Sequence, residues 1–458
     1  MTSLRRARPL WAVALVWSCL VLAPAGASGD QVLGTSYFLD SRSGNDASAG
    51  TSSAVAWKTL GRASKAQLRP GDRLLLKRGD VWKGPLVVTA DGAAGKSIVV
   101  GAYGAGSLPL IRRGSSCVLL TGSYVRVTSL HLDGCSWAGV SVAGSFDRVD
   151  NSLISHNPVG IEITPESHSD ELLRNALVDN NRMSVLTKTP NNDDSGAFGI
   201  LIRGDHVHVA ENRISGSDAF SYDYGRDGSA VEIYGGRNNL IERNIAVNDH
   251  AFTELGNPRS ADNTFAYNLF ESSLRTATFL VTRGSKDSRG PVLRTSIYNN
   301  TADLTGDASQ GIVCYAGCSP DVLRLRNNII VAHAKAAYAD APFDEADDVF
   351  YGGPVQLALG PGTVVADPRF QDSAAGDFRL RRSSPAIDRG VPLGFRTDLH
   401  GEHVPVDGNG DGRATPDAGA LEYQPPSRPR TAARSRRALP QPLPTYASMR
   451  PFGAQTGS

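Results

Sequence analysis

Residues Tyr124-Val-Arg-Val-Thr-Ser-Leu-His-Leu132 decide the fold class, because apolar and polar side chains alternate along them. Alternation with a period of two is typical of a β-strand with one buried face. Gly199-Ile-Leu-Ile-Arg203 and Ala230-Val-Glu-Ile-Tyr234 repeat the pattern. No stretch carries a sustained apolar period of 3.6 residues, so we expect no long helix. The sequence therefore predicts an all-β protein.

Asparagine recurs after the second short strand of successive units, and two of the intervals are 24 residues while the others are longer by a loop. The positions are Asn151, Asn175, Asn212, Asn244, Asn268, Asn300 and Asn328. A period in the low twenties with short strands is typical of a parallel β-solenoid, in which stacked asparagines bond to one another at the turns. The leucine spacing of a leucine-rich repeat is absent. A β-sandwich is the alternative, but it would not readily explain the recurring asparagines.

The flanking segments resemble those of the secreted right-handed parallel β-helix proteins of the pectate-lyase-like superfamily. The opening segment contains Tyr37-Phe-Leu-Asp-Ser-Arg-Ser-Gly-Asn-Asp46, Trp57-Lys-Thr-Leu60, Leu68-Arg-Pro-Gly-Asp-Arg-Leu-Leu-Leu-Lys-Arg-Gly-Asp80 and Gly95-Lys-Ser-Ile-Val-Val-Gly-Ala-Tyr-Gly104. The closing segment contains Ala366-Asp-Pro-Arg-Phe370, Gly376-Asp-Phe-Arg-Leu380, Ser384-Pro-Ala-Ile-Asp-Arg-Gly390 and Pro416-Asp-Ala-Gly-Ala-Leu-Glu-Tyr423.

This resemblance covers residues 37–423 and is nearest in style to polysaccharide lyase family nine. It implies a right-handed parallel β-helix, a polysaccharide as the partner and a monomer. The superfamily contains lyases, hydrolases, epimerases and non-catalytic members, so the fold alone does not assign the reaction.

The ends of the chain differ in composition from its middle. Residues 1–27 combine three arginines, an apolar run and Ala25-Gly26-Ala27, which predicts a signal peptide and a secreted protein, or a periplasmic one if the source has an outer membrane. A single membrane anchor is the alternative. Residues 425–458 are rich in proline and arginine, which predicts a disordered basic tail. Between them we expect an N-terminal cap with the first strands at 28–84, coils at 85–335 and a closing segment at 336–424.

The net charge argues against nucleic acid as a partner. With +1 overall, +3 on residues 1–27 and +6 on residues 425–458, the body carries a net charge of −8. A nucleic-acid-binding domain would present a basic face instead. No segment after the predicted signal peptide is long and apolar enough to suggest stable membrane insertion.

Export makes four cysteines candidates for disulfide bonds. Cys314 and Cys318 would close a short loop, and Cys117 and Cys135 are 18 residues apart, about one coil of the repeat. We predict both bonds, with free buried thiols as the alternative.

Two consecutive units align without a gap and suggest a site. Asp227-Gly-Ser-Ala-Val-Glu232-Ile-Tyr234 precedes Asp249-His-Ala-Phe-Thr-Glu254-Leu-Gly256 by 22 residues. Adjacent strands lie about 4.8 Å apart, so the two aspartates should stack, and so should the two glutamates. Stacked like charges repel unless a cation, a proton or an arginine lies between them. We therefore predict chemistry on this face, and a solvated charged face is the alternative.

Strand alternation predicts which neighbours share the outer face. The expected outward side chains are Arg203, Glu232, Tyr234, Phe252, Glu254 and Arg283. Two insertions, 218–226 and 284–290, should reach the same face, and plain surface loops are the alternative reading. Aromatic side chains stack on sugar rings and arginines bind carboxylates. The predicted substrate-binding residues are Arg203, Tyr222, Tyr224, Arg226, Tyr234 and Phe252.

The resemblance to family-nine lyases implies calcium as a cofactor. In those enzymes a carboxylate cluster binds calcium, calcium neutralises a uronate, and a lysine on a following coil removes the C5 proton. The matching segments imply Asp227, Asp249, Glu232 and Glu254 as metal ligands. The position that matches the base lies near Phe279 and is not lysine, so Arg283 and Lys286 are the nearest candidates for a catalytic base.

The first hypothesis is therefore a lyase that cleaves a uronate-containing polysaccharide by β-elimination. A glycoside hydrolase with Glu232 and Glu254 as the catalytic pair is the second hypothesis. A non-catalytic glycan-binding or matrix protein is the third.

One further segment has the spacing of calcium ligands. Asp407-Gly-Asn409-Gly-Asp411-Gly-Arg413 places oxygen ligands at positions 1, 3 and 5 of such a loop. The carboxylate expected at position 12 is absent, because that residue is Ala418. A structural calcium loop and a Gly-Asp turn are both possible for this segment.

Overall fold

The computed structural model describes residues 34–185 and 187–425, and within these ranges three long parallel sheets form a right-handed β-helix. Each coil adds one strand to the first sheet, then one to the third and one to the second, as in Val125–Thr128, His131–Asp133 and Ala138–Val142. The predicted all-β solenoid is confirmed. The predicted signal peptide and nearly all of the predicted tail lie outside the described residues.

The strands of the three sheets, within the described ranges, are as follows. The first sheet contains Ser36–Leu39, Arg73–Lys77, Ile98–Tyr103, Val125–Thr128, Arg148–Asp150, Glu171–Leu173, His208–Ala210, Leu240–Glu242, Thr264–Ala266, Thr295–Tyr298, Leu323–Arg326 and Asp344–Ala346. The second sheet contains Leu86–Val88, Ser116–Leu120, Ala138–Val142, Val159–Ile163, Phe198–Ile202, Ser229–Tyr234, Ala251–Gly256, Thr278–Arg283, Gln310–Tyr315, Lys335–Ala339 and Val355–Gln356. The third sheet contains Val81–Lys83, Leu110–Arg112, His131–Asp133, Leu153–Ser155, Ala176–Val178, Arg213–Ser215, Ile245–Val247, Leu269–Ser272, Thr301–Leu304, Ile329–Ala332, Val349–Gly352 and Val364–Val365.

Short antiparallel hairpins and short helices complete the part of the chain that the structure describes. The hairpins pair Met183–Val185 with Ser195–Gly196, Ala219–Ser221 with Gly225–Asp227, and Phe370–Asp372 with Asp377–Leu380. The helices are the α-helix Leu60–Ala63 and the 3₁₀ turns Ser53–Val55 and Ser373–Ala375. None of these described helices has the length and hydropathy needed to cross a membrane.

An asparagine ladder runs along the turn between the first and third sheets. Side-chain amides donate to the next Oδ1 at 2.9–3.1 Å through Asn175, Asn212, Asn244, Asn268, Asn300 and Asn328. The ladder ends on Asp348, whose Oδ1 accepts from Asn328 Nδ2 at 2.8 Å. Asn151 lies in the same turn, as predicted, but the prediction that it stacks with the other asparagines was wrong, because it has a φ of 48° and lies one residue before the ladder. Ser152 occupies the ladder position instead, and its N–H donates to Asn175 Oδ1 at 3.2 Å.

Parallel pairing extends beyond the predicted limits of the coils. Ser36–Leu39 pairs with Arg73–Lys77, and Val349–Gly352 pairs with Val364–Val365. The coils therefore include parts of the predicted cap and of the predicted closing segment.

The rest of the closing segment lies across the outer face of the third sheet. Leu380, Ala386 and Ala418 pack there against Ile329 and Val349 in a small apolar cluster, separate from the main core inside the coils. The closing segment thus occupies the outer face of the third sheet, and the outer face of the second sheet carries the cleft described below.

Both predicted disulfide bonds are present. Cys117 bonds to Cys135 near the N-terminal end of the coils, and Cys314 bonds to Cys318 at the end of a second-sheet strand.

The segment with calcium-ligand spacing forms a turn that is closed by its own backbone. Asp407 Oδ1 accepts from Gly410 N at 2.8 Å and from Asp411 N at 3.1 Å, and its Oδ2 accepts from Gly412 N at 3.0 Å. These bonds are those of the Gly-Asp turn, the second reading of the segment.

Candidate functional site

The longest strands of the second sheet form the floor of a cleft of about 610 Å³. Two insertions, 179–197 and 216–228, join third-sheet strands to second-sheet strands and form hairpins on one side of it. The 284–290 loop follows a second-sheet strand on the other side. Long connections thus build walls on both sides of an otherwise flat solenoid face.

Glu232 and Glu254 lie directly opposite each other on neighbouring parallel strands. The same outward column continues to Leu201 on one side and to Val281 on the other. All four side chains line the cleft. The predicted stacking of the two glutamates is therefore present in the structure.

Glu232 is half-buried in the floor of the cleft. Burial and the negative charges of Glu254 and Asp227 raise its pKa well above the usual 4.5. Ser229 opposes this shift, because its Oγ donates to Glu232 Oε2 at 2.8 Å, and Arg283 opposes it through its charge. These surroundings favour the protonated form of Glu232, which can donate a proton.

Glu254 is ion-paired with Arg283, whose side chain is only 2% exposed. Arg283 Nε donates to Tyr315 Oη at 3.0 Å, and Asp287 lies 3.9 Å from the same nitrogen. Burial alone would lower the pKa of Arg283, but Glu254 and Tyr315 raise it above its usual value. The guanidinium is thus permanently charged and holds Glu254 beside Glu232.

Asp227 lies at the end of a hairpin strand and also lines the cleft. Burial and the charge of Glu254 raise its pKa to about 7, although Gly228 N donates to its Oδ1 at 2.8 Å. Gly228 has a φ of +143°, and a Cβ there would lie 2.3 Å from Ser217 O. Glycine is therefore required at the point where the hairpin returns to the sheet.

Tyr234 packs over the next strand because that strand has no side chain beneath it. Its partner in the ladder is Gly256. A Cβ at Gly256 would lie 3.0 Å from the Tyr234 ring and 3.1 Å from Arg283 Nη1. The glycine thus brings the exposed tyrosine and the buried arginine together beside the two glutamates.

His250 and Arg226 line the same side of the cleft and share Asp218 as a partner. Arg226 Nε donates to Asp218 Oδ1 at 2.9 Å, and His250 Nδ1 lies 3.6 Å from that oxygen. Burial lowers the pKa of His250 against the opposing charge of Asp218. The imidazole is therefore neutral near neutral pH and can accept a proton.

The prediction that Phe252 points outward was wrong. Phe252 is fully buried in the core, and its ring stacks on Phe279 at 5.3 Å between centroids. The matching residue two coils earlier is Gly199, whose Cβ would lie 2.6 Å from the side chain of the buried Ile214, so this position faces the core in that coil too. Phe252 and the next residue, Thr253, are both fully buried, so the inside–outside alternation on which the prediction depended is broken here.

Asp249 does not stack on Asp227 in the cleft, so this part of the predicted metal site was also wrong. Asp249 is fully buried in a turn, where its Oδ1 accepts from Ser217 N at 2.7 Å. The insertion 216–228 displaces Asp227 into a hairpin, and equal spacing in the sequence therefore does not place the two carboxylates together.

Two other predicted residues lie outside the cleft. Lys286 is exposed on the 284–290 loop, where its N–H donates to Ala316 O at 2.9 Å. Tyr222 is exposed at the hairpin turn and packs edge-on against Phe220. Arg203, Tyr224, Arg226, Tyr234 and Arg283 do line the cleft, as expected.

Several lining residues were not found from the sequence. They are Trp137, Asn192, Asp194, Ser195, Phe198, Leu201, His250, Val281, Arg289 and Tyr315. A signal for part of this set was present, because the interval from Asn175 to Asn212 is longer than the others and reveals the 179–197 insertion.

The carboxylates of the predicted metal site do not converge as a metal site requires. Among the described residues, the one set of three acidic side chains with ligand atoms within 4.8 Å of one another is Asp193, Asp194 and Asp223, in the turns of the two hairpins beside the cleft. The set Asp227, Glu232 and Glu254 does not reach this spacing. No step of the chemistry below is therefore assigned to calcium.

Comparison with known proteins supports the fold. No protein-family model and no curated protein matches the sequence. The solved structure of pectate lyase Pel9A is similar, with a TM-score of 0.55, 16% identity, and coverage of 85% of this chain and 96% of that chain. The GH136 lacto-N-biosidase from Eubacterium ramulus has a TM-score of 0.49 at 16% identity, covering 73% of this chain and 67% of that chain. The alginate lyase from Paenibacillus sp. str. FPU-7 has a TM-score of 0.49 at 14% identity, and the match covers 66% of this chain and 97% of that chain.

Proposed function

The chain is a pectate-lyase-like right-handed parallel β-helix, and we propose that it cleaves glycosidic bonds of a polysaccharide at Glu232 and Glu254. The observation that carries this proposal is the opposed glutamate pair. Burial and neighbouring charge raise the pKa of Glu232 and favour its protonated form, and Glu254 is ion-paired with a buried arginine. Pairs of carboxyl groups in two protonation states are the machinery of glycoside hydrolysis.

In the reaction that this pair supports best, Glu232 donates its proton to the glycosidic oxygen as the bond to the anomeric carbon breaks. Glu254, as a carboxylate, bonds to the anomeric carbon and forms the covalent glycosyl–enzyme intermediate of a retaining mechanism, and water breaks this bond in the second step. Water then supplies the hydroxyl of the new reducing end and returns a proton to Glu232. Neighbouring strands lie about 4.8 Å apart, which favours the short carboxyl separation of about 5–5.5 Å used by retaining enzymes.

Hydrolysis is preferred to the first hypothesis, β-elimination with Arg283 or Lys286 as base. Lys286 lies outside the cleft. Arg283 is buried and ion-paired, and its raised pKa prevents it from taking a proton.

A specific observation supports β-elimination as a second candidate. His250 is neutral because burial lowers its pKa, and Arg289 is a partly exposed cation in the same cleft. A neutral imidazole could remove a C5 proton while an arginine neutralises the uronate. Calcium remains a proposal for this reaction, and removal of metal by a chelator tests it.

The discriminating experiment incubates the mature protein with a panel of uronate-containing and neutral polysaccharides. Reducing-end release without ultraviolet absorbance of unsaturated ends is the expected result. Glu232→Gln and Glu254→Gln should each abolish this release while circular dichroism stays unchanged. Glu211→Gln is a matched control, because this exposed glutamate pairs with Arg174 in the turn between the first and third sheets, away from the cleft.

The outcomes separate the hypotheses. If the parent protein releases unsaturated ends and His250→Ala does not, the reaction is β-elimination and not hydrolysis. If a chelator abolishes activity, the reaction requires calcium. Binding without turnover by the parent protein would indicate the glycan-binding class. Full activity in both Gln variants would show that this cleft is not the active site.

We also propose that the protein is exported and acts as a monomer. Two disulfide bonds fit an oxidising compartment. Light scattering of the secreted protein tests the monomer.

A further inference from the structure

One end of the cleft is apolar, although it lies on the outer face of the solenoid. Ala138, Val159, Phe198 and Leu201 form a cluster there, and Trp137 packs against it. Phe198 and Leu201 are only 9% and 7% exposed, yet both line the cleft with Trp137. This end therefore differs from the acidic centre around Glu232.

A buried carboxylate fixes the indole ring of Trp137. Trp137 Nε1 donates to Glu162 Oε2 at 2.7 Å, and Ser141 Oγ donates to the same oxygen at 2.7 Å. Glu162 is itself buried, and its other oxygen is ion-paired with Arg203. Because its only polar atom is engaged, the ring is held in one orientation with its apolar body against the cluster.

This network is costly if stability is its only role. The Glu162 side chain is only 5% exposed, so its charge is desolvated, and an ion pair with a buried carboxylate seldom adds net stability compared with apolar residues of the same volume. Arg203 Nε is buried and has no hydrogen-bond partner among the described residues. The side chain of Arg203 as a whole lines the cleft and is 34% exposed, and a fixed aromatic ring beside this cation is an arrangement suited to a ligand with a flat apolar face and polar substituents at its edge.

We propose that Trp137 is a platform for a pyranose ring of the polysaccharide, at a subsite remote from the bond that is cleaved. Leu201 is one strand from Glu232 in the outward column, and Glu162 is two strands away. Trp137 precedes Ala138–Val142, three strands from Glu232, and its indole reaches Glu162, so at about 4.8 Å per strand the platform lies roughly 10–14 Å along the solenoid axis from Glu232. Glu162 is the positioning residue, and Arg203 donates to a hydroxyl or carboxylate of the same sugar. This inference rests on the proposed function only in taking a polysaccharide as the ligand.

Binding can be followed through Trp137 itself. Of the tryptophans in the described part of the chain, Trp57 and Trp82 are buried and Trp137 is partly exposed. The Glu232→Gln variant, which should not turn over substrate, is titrated with oligogalacturonates, oligomannuronates, xylo-oligosaccharides and cello-oligosaccharides of two to six units. We expect a hexamer of at least one series to change the tryptophan emission.

In the Glu232→Gln background, Trp137→Ala should weaken hexamer binding about tenfold in calorimetry. Dimer binding should stay unchanged, because a dimer bound at the glutamate pair does not reach the platform. Glu162→Ala should weaken hexamer binding similarly. Glu162→Gln, which still accepts the indole N–H, should restore affinity to within about threefold of the background. Tyr351→Ala, which removes an exposed aromatic ring from the third sheet, is the matched control and should have no effect.

The failure of this inference is distinguishable from failure of the proposed function. If the parent releases reducing ends but Trp137→Ala binds the hexamer as well as the background does, the platform is overturned and the function stands. If hexamer binding depends on Trp137 but the parent never turns over substrate, the platform stands and the function is overturned. No change in emission with any of the four hexamers would also overturn the platform.

Discussion

Replacement of Asp249 by asparagine should stabilise the protein, and the gain should grow with pH. Asp249 occupies a turn between the third and second sheets, where earlier coils use asparagine. Asn157 Oδ1 accepts from Cys135 N at 2.8 Å, Asn180 Oδ1 accepts from Asn157 N at 3.2 Å, and Asp249 Oδ1 accepts from Ser217 N at 2.7 Å. Asp249 Oδ2 is buried and has no partner among the described residues.

The magnitude follows from the protonation of this buried group. Burial, opposed by the bond from Ser217, raises the pKa of Asp249 from 3.8 to about 7. The folded state therefore favours the neutral carboxyl. The contribution of this group to the free energy of unfolding is fully present below pH 3.8 and is lost as the pH rises through about 7. The loss amounts to about 4 kcal/mol. Asparagine does not ionise, so Asp249→Asn should gain less than about 2 kcal/mol at pH 5 and about 4 kcal/mol at pH 8.

The assay is denaturant unfolding of parent and variant at pH 5 and pH 8, with the slope m compared to confirm that the same surface is exposed. Asn180→Asp is the matched reverse substitution, because Asn180 is also fully buried in the turns between the third and second sheets. This variant should lose stability as the pH rises. An Asp249→Asn variant that is less stable at pH 8 would refute the reasoning. If the Asp249→Asn variant loses activity but keeps an intact fold, Asp249 contributes to the site, as the metal-site prediction stated.

Four further results are expected. Gly256→Ala should lower kcat/KM several-fold with little loss of stability, because the new Cβ displaces the Tyr234 ring; an unchanged kcat/KM would contradict this. Arg283→Met should lower the free energy of unfolding by about 3–5 kcal/mol in a denaturant titration, since it leaves a carboxylate without its buried cation. Activity should fall as the pH rises through the raised pKa of Glu232, and Asp227→Asn should move this limb to lower pH by removing one of the charges that raise that pKa; a limb that stays in place would refute the assignment. Thiol titration of the unfolded, unreduced mature protein should detect no free cysteine, and two or more would disprove the bonds.

The repeat in the sequence was sufficient to predict the solenoid and the stacked glutamates. In a parallel coil, one period along the chain becomes one strand spacing across the sheet, so residues 22 positions apart become neighbours when no insertion separates them. Glu232 and Glu254 meet this condition, and the register pairs them. The asparagine ladder follows from the same geometry, because an amide side chain both donates and accepts at each turn.

The tertiary structure alone decided the rest of the site. Asp227 and Asp249 have the same spacing as the glutamates, but the hairpin at 216–228 lifts one of them into the cleft and leaves the other in a buried turn. Phe252 faces the core although the next residue, Thr253, is also fully buried, so the strict alternation used for the prediction does not hold at this position. Trp137 is placed by Glu162, a contact 25 residues apart in the sequence that no local pattern encodes. Period and alternation are properties of the backbone repeat, whereas insertions, local breaks in the alternation and side-chain bonds between coils depend on three-dimensional packing.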